Sequence, residues 1–396
     1  MNICDIPKGF RFAGIASGLK SSGKLDLGLI CSDAPATCAG VFTQNQVVAA
    51  PIAVTKPRIA SGQCQAILVN SGNANACTGQ AGITVAQEMG ALVAKQLRVP
   101  VELVAVASTG VIGKQLPIGP LLGGIPQLVK HLDDEAAPLT AESMMTTDSY
   151  SKLASAQGKV EGQGYCILGL AKGAGMIHPN MATMLGFVMT DAQMPAERLD
   201  RALRQAVDRS FNAITVDADT STNDMVLLLA NGSSGVNIAA DSDAEAEFCH
   251  HLERVLVDLA KMIVRDGEGA TKLVEIRVTG AADDQEAKIA ARSVATSSLV
   301  KTAFFGEDAN WGRIIAAVGY SGVQLDQERI DISFDGVPVT MNGLGTGQEL
   351  EDQASEVLKQ GEFVVTVELH QGEGTASYYT SDLTYDYIRI NADYRS

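Results

Sequence analysis

Apolar and polar positions alternate along 24–33 (KLDLGLICSD), where Leu25, Leu27 and Leu29 share one side, and short apolar runs fill 65–70, 101–107 and 165–171. This pattern predicts strands, because successive side chains of a strand point to opposite faces. Over 81–97, Ile83, Ala86, Met89, Leu92, Val93 and Leu97 recur at intervals of three and four, which predicts an amphipathic helix. The same spacing predicts helices over 195–211, with a proline in the opening turn, 244–264 and 286–296. The C-terminal part reads as β-rich. Segments 330–334 and 337–341 flank an Asp335-Gly336 turn, and 363–370, 375–380 and 383–390 read as further strands. Strands and helices alternate without a regular βαβ rhythm, so the expected class is α/β, with mixed β-sheets covered by helices and no internal repeat or clear linker.

A chain of 396 residues holds roughly two or three domains' worth of material, and its 46% apolar and 19% charged composition is that of a folded globular protein. The net charge of −16 opposes binding to a polyphosphate, so nucleic acid is not an expected partner. No apolar run approaches the length of a membrane span, and the start (MNICDIPKGFRF) resembles neither a signal nor a transit peptide; a cytoplasmic location is expected. Seven cysteines without C-x-x-C spacing read as reduced thiols, and five histidines without paired ligand spacing give no support for a metal. Gly18 to Leu25 (GLKSSGKL) fits a phosphate-binding loop except at its last position, which is Leu where a hydroxyl is required, and a strand rather than a helix follows.

The densest unusual stretch is 172–185 (KGAGMIHPNMATML), which follows the apolar run 165–171 and places one ammonium, one imidazole and one hydroxyl around a glycine-containing loop. By composition it reads equally well as a tight turn. As a site, it offers Thr183 behind a small residue, Ala182, as a peptide bond open to attack by the next side chain would prefer. This stretch resembles the self-cleavage segment of the ornithine acetyltransferase (glutamate N-acetyltransferase) family of arginine biosynthesis. The resemblance continues through 69–79 (VNSGNANACTG), 108–113 (STGVIG), 146–148 (TTD), 211–224 (FNAITVDADTSTND), 265–271 (RDGEGAT), 305–312 (FGEDANWG) and 387–396 (YIRINADYRS).

The resemblance implies an α/β/β/α-type sandwich and a chain that cuts itself between Ala182 and Thr183, giving an alpha chain of 1–182 and a beta chain of 183–396 that share one core. Thr183 then becomes an N-terminal nucleophile, whose freed amine, with a reference pKa of about 7.7–8.0, can take the hydroxyl proton near neutral pH. Thr109 and Gly110 are implied as the oxyanion hole, and Thr146, Lys172, Thr183, Glu268, Asn391 and the terminal Ser396 as substrate contacts. Lys172 suits a carboxylate and Glu268 an ammonium. The implied reaction moves an acetyl group from N²-acetyl-L-ornithine to L-glutamate without a cofactor or metal; acetyl-CoA is a further donor for some members. Small molecules are then the partners, and the implied assembly is a heterotetramer of two alpha and two beta chains. Two other readings stay open: an N-terminal-nucleophile hydrolase of acylated amino acids or peptides on the same scaffold, and a binding protein that never cleaves.

Overall fold

The alternation at 24–33 runs into a longer strand, Leu27–Phe42, that serves two layers at once. In the computed structural model, which describes residues 5–178 and 184–393, Leu27–Cys31 pairs with Ala66–Asn70, whereas Thr37–Phe42 pairs with Met225–Ala230 after a register shift between Cys31 and Ala36. The strand thereby passes from one sheet layer into the other. Among the described residues the first sheet runs, in spatial order, Val104–Ser108, Gln63–Asn70, Leu27–Phe42, Met225–Ala230, Leu185–Thr190, Gln163–Lys172 and Lys152–Val160, with Phe10–Ile15 also paired to Leu27–Phe42. Parallel and antiparallel neighbours both occur.

Side-chain alternation decides which layer covers which. Ile67, Val69, Ala105 and Ala107 share a core with Leu168, Leu170, Phe187 and Leu227, so the two layers of the folded sheet face each other. The opposite faces carry Leu29, Leu68 and Val106 against the helices Gly79–Leu97 and Ile118–Lys130. On the other side, Ile167, Val188 and Leu228 pack on Ala196–Arg209 and Asp243–Arg265. The result is the expected α/β/β/α sandwich. Leu185–Thr190 is buried at every position, as a strand covered on both faces must be. It sits between strands from both sides of position 182, so residues of 1–182 and of 183–396 build one sheet.

A second sheet orders Leu344–Gly345, Val337–Met341, Asp331–Phe334, Glu362–Glu368, Leu273–Ala281, Gly374–Ser381 and Ile214–Thr215. Asp284–Thr296, Ser298–Phe305 and Trp311–Gly319 cover one face of it. The expected hairpin around Asp335-Gly336 is present. One expectation fails: 383–390 is not a strand, and Tyr385–Asp393 is a helix. The Thr384 hydroxyl accepts the Tyr387 N–H at 3.2 Å and so caps its first turn, while no residue of the helix is buried. The helix is held by contacts that alternation cannot report: a Cβ on Gly269 (φ +70°) would stand 2.5 Å from the Tyr387 nitrogen. The loop resembling a phosphate cradle is built around an internal anion. The N–H groups of Ser17, Gly18 and Lys20 donate to the buried Asp26 carboxylate at 2.6, 3.1 and 2.9 Å, which occupies the donors a phosphate would use. No helix among the described residues is long and apolar enough to cross a membrane.

Candidate active site

Lys172 ends the Gln163–Lys172 strand, second from one edge of the first sheet, and the residue is only 4% exposed. Burial lowers its pKa, and the Asp148 carboxylate opposes that shift from 3.9 Å. Asp148 would be pushed up by burial, but Lys172, Lys152 and the Thr146 N–H at 2.9 Å together hold it well below the usual carboxylate range. Gly173 donates its N–H to the same carboxylate at 2.7 Å, which fixes the chain as it leaves the strand.

Across from this cation stands Glu268, on the loop that follows the Asp243–Arg265 helix. Its N–H donates to the Ala174 carbonyl at 2.9 Å, and its carboxylate accepts from the Asn391 amide at 2.9 Å. The carboxylate lies so close to the Gly175 backbone that a Cβ there would be 2.5 Å from it, which explains a glycine at that position. The C-terminal helix is thus what brings Asn391 to the site.

The third wall is the Thr109-Gly110 turn, at the end of the Val104–Ser108 strand. Gly110 has φ +129°, a backbone state that side chains rarely permit. Asparagines of the 69–79 motif build the surround. Asn70 donates to the Asn73 carbonyl, Asn73 to the carbonyls of Lys114 and Gln115, and Asn75 to that of Gly82. Asn223 donates to the carbonyls of Ala74 and Ser108 at 2.6 and 2.9 Å, which ties this wall to the Asp217–Asp224 stretch.

Thr109, Gly110, Thr146, Lys172, Glu268 and Asn391 all line one cavity of about 220 Å³. Ala182, Thr183 and Ser396 lie outside the described residues. Met184, the residue after Thr183, donates its N–H to the Asp224 carboxylate at 3.0 Å. Sequence reasoning assigned no role to Asp148, Lys152, Asp217, Asn223, Asp224 or Tyr387. Three of them, Asp217, Asn223 and Asp224, stand in the 211–224 motif and Asp148 in the 146–148 motif, so the signal was present without a stated function. A larger cavity of about 970 Å³, bounded by Ile6, Phe10, Pro138, Tyr150, Leu153 and Met262 among others, contains none of the assigned residues.

Asp217 accepts the Met176 and Ile177 N–H groups at 2.6 and 2.8 Å, bracing the segment that leads towards Thr183. Burial pushes its carboxyl up to about 6, against the pull of those amides. In the unfolded chain the group ionises near 3.9, so between about pH 4 and 6 the folded state binds the extra proton and stability falls as pH rises. Thermal melts of Asp217→Asn and the parent chain should show the variant's relative advantage growing from pH 4 to 6 and levelling above. An offset constant over that window would contradict the assignment.

Fold and site together define the class: an α/β/β/α-layered enzyme whose small cavity is lined by the buried Lys172 cation and by the carboxylates of Asp217, Asp219 and Glu268. The chain belongs to the ArgJ family of arginine-biosynthesis enzymes, matching it over residues 11–396. It is 63% identical to the arginine biosynthesis bifunctional protein ArgJ of Syntrophotalea carbinolica over 98% of this chain and 99% of that one, and 53% identical to the Geobacter sulfurreducens protein of the same name over 98% and 99%. Among solved structures, the Bacillus halodurans arginine biosynthesis bifunctional protein ArgJ is 48% identical with a TM-score of 0.51, covering 52% of this chain and 98% of that chain. The family the motifs resemble and the family the whole chain matches are the same.

Proposed function

We propose that this protein is a self-processing cytoplasmic acetyltransferase that moves an acetyl group from N²-acetyl-L-ornithine to L-glutamate through an ester on Thr183. The observation that carries the reading is convergence. Six residues from segments as far apart as Thr109 and Asn391 meet at one cavity with its opposite charges on separate walls. The relatives' names support the pathway.

In maturation the Thr183 hydroxyl attacks the Ala182 carbonyl, the peptide C–N bond breaks, and water hydrolyses the resulting ester to leave a free Thr183 amine. In turnover that amine takes the hydroxyl proton as oxygen bonds the acetyl carbon. The amide C–N bond breaks and ornithine leaves with the proton. The glutamate amine then attacks the ester, forming N-acetyl-L-glutamate and restoring the hydroxyl. Thr109 and Gly110 stabilise the oxyanion in each step. Lys172 and Glu268 hold the carboxylate and side-chain ammonium of the donor. Support for a two-chain product comes from the Bacillus halodurans structure, whose chain is covered almost whole yet matches 52% of this one, close to the 214 of 396 residues in 183–396.

The test is mass and kinetics together. Denatured protein should give fragments of about 19 and 22 kDa, scaled from 41.5 kDa over 396 residues, with the heavier beginning Thr-Met-Leu-Gly. Initial rates with both substrates varied should give parallel double-reciprocal lines, because an acetyl-enzyme separates the half-reactions. Intersecting lines would overturn the double displacement. Steady ornithine release without glutamate would make the protein a hydrolase, and an uncleaved, inactive chain would make it a binding protein. Replacing the donor by acetyl-CoA in the same assay tests the second donor.

A further inference from the structure

Behind the cavity wall lies a buried ion cluster that acetyl transfer itself does not use. The Lys152 ammonium sits 2.8 Å from one Asp148 oxygen and 2.5 Å from an Asp266 oxygen, and none of the three side chains is more than 4% exposed. The other Asp148 oxygen is the one 3.9 Å from Lys172. Asp266 caps the Asp243–Arg265 helix two residues before Glu268, and accepts both the N–H and the hydroxyl of Ser149. The four charges Lys172, Asp148, Lys152 and Asp266 therefore form one alternating chain. Its first member is the cavity's cation, Lys172, and its last is joined through Gly267 to Glu268, one of the cavity's three carboxylates.

Such a cluster is a costly way to fill a core, since apolar side chains of equal volume would hold these elements without giving up hydration. What it adds is distance. Lys172 stands on a strand and Glu268 on a helix-end loop, and Lys152, at the start of Lys152–Val160, is the strut between those elements. The two charge-assisted bonds of Lys152 are short and directional in a dry interior, so they resist stretching more than an apolar contact does, and Asp148, held by one of them, faces Lys172 at 3.9 Å.

We infer that Lys152 is a positioning residue that fixes the separation of the two charged poles and so selects the length of the amino-acid substrate. This rests on the reading that Lys172 and Glu268 take the donor's carboxylate and side-chain ammonium. A donor one methylene longer, N²-acetyl-L-lysine, then meets a cavity whose poles cannot move apart, and a loosened strut admits it. One methylene is commonly worth about 10–200-fold in a site that measures length.

The experiment compares N²-acetyl-L-ornithine with N²-acetyl-L-lysine on the parent enzyme, Lys152→Met, Asp266→Asn and Lys152→Arg. Lys152→Met should raise KM for the ornithine donor by about tenfold or more with a much smaller change in kcat. The ratio of kcat/KM between the two donors should shrink by a similar factor, the gain of one substrate partly offsetting the loss of the other. Should Lys152→Met fail to fold, Asp266→Asn, which keeps the Ser149 contacts, and Lys152→Arg, which keeps the charge with a longer reach, carry the test by the same change in ratio. A loss of kcat common to both donors, with KM values and ratio unchanged, would reduce Lys152 to a stabilising residue and overturn the inference. A parent enzyme inactive on the ornithine donor would instead remove the acetyltransfer reading, and the inference with it.

Discussion

Thr183→Ala is expected to yield one uncleaved chain of 41.5 kDa with acetyl transfer reduced by about 10⁴-fold or more. In the proposed mechanism one hydroxyl performs both events, attack on the Ala182 carbonyl and attack on the acetyl carbon, so its deletion removes them together. Without cleavage there is also no free amine to accept the proton. The rest of the site should stay in place, because Met184 is held by Asp224, Met176 and Ile177 by Asp217, and the strand Leu185–Thr190 is buried throughout. Thermal stability should therefore be near that of the precursor. Mass spectrometry under denaturing conditions and a single-turnover acetylation assay read the two losses separately. A cleaved Thr183→Ala protein would displace the nucleophile to another residue. Thr183→Ser keeps a hydroxyl and should retain both events at lower rates.

Much of the scaffold was legible because burial writes itself into period. Leu27 and Leu29 and the apolar run at 165–171 report strands whose faces meet a core. The helices Gly79–Leu97 and Asp243–Arg265 each report one buried stripe. The C-terminal helix was misread for a matching reason: nothing in it is buried, so its pattern carries no period, and its place is set by a backbone approach at Gly269 and a cap from Thr384. The site left no periodic trace either. Thr109, Lys172, Glu268 and Asn391 are brought together by tertiary folding, and each read locally as a strand end, a turn or a terminus. They were found through a family resemblance in which several motifs agree in order. Lys152 was found by neither route, and Asp266 stood in the 265–271 motif without a role, since a lysine opening a strand and an aspartate closing a helix look like surface residues until the fold encloses both.

Gly110→Ala is expected to lower kcat by about 10²–10³-fold, with a thermal midpoint lower by several degrees. An added Cβ would stand 2.5 Å from the Gly72 carbonyl carbon and 2.6 Å from the Asn73 nitrogen, and φ +129° strains any side chain. Those neighbours are backbone atoms that cannot rotate aside. They are also pinned: Asn73 donates to the Lys114 and Gln115 carbonyls at 3.2 and 3.3 Å, and its side-chain oxygen accepts the Asn75 N–H at 2.8 Å. Gly110 must therefore move, at a cost of about 1–3 kcal/mol for backbone held in such a region. The Thr109 N–H is already engaged by the Asn70 carbonyl at 3.0 Å, so the donors the pair can offer an oxyanion are the Thr109 hydroxyl and the Gly110 amide. A shift of the turn misdirects the second, and a misplacement of about an ångström is enough to lose most of its effect. Thr109→Ala deletes the first without strain, and should match the loss in kcat while leaving the melting midpoint close to the parent value. The two variants thus separate chemistry from folding: unchanged kcat in both would take the turn out of the reaction, and a lower midpoint with full kcat in Gly110→Ala would make the glycine a purely structural requirement.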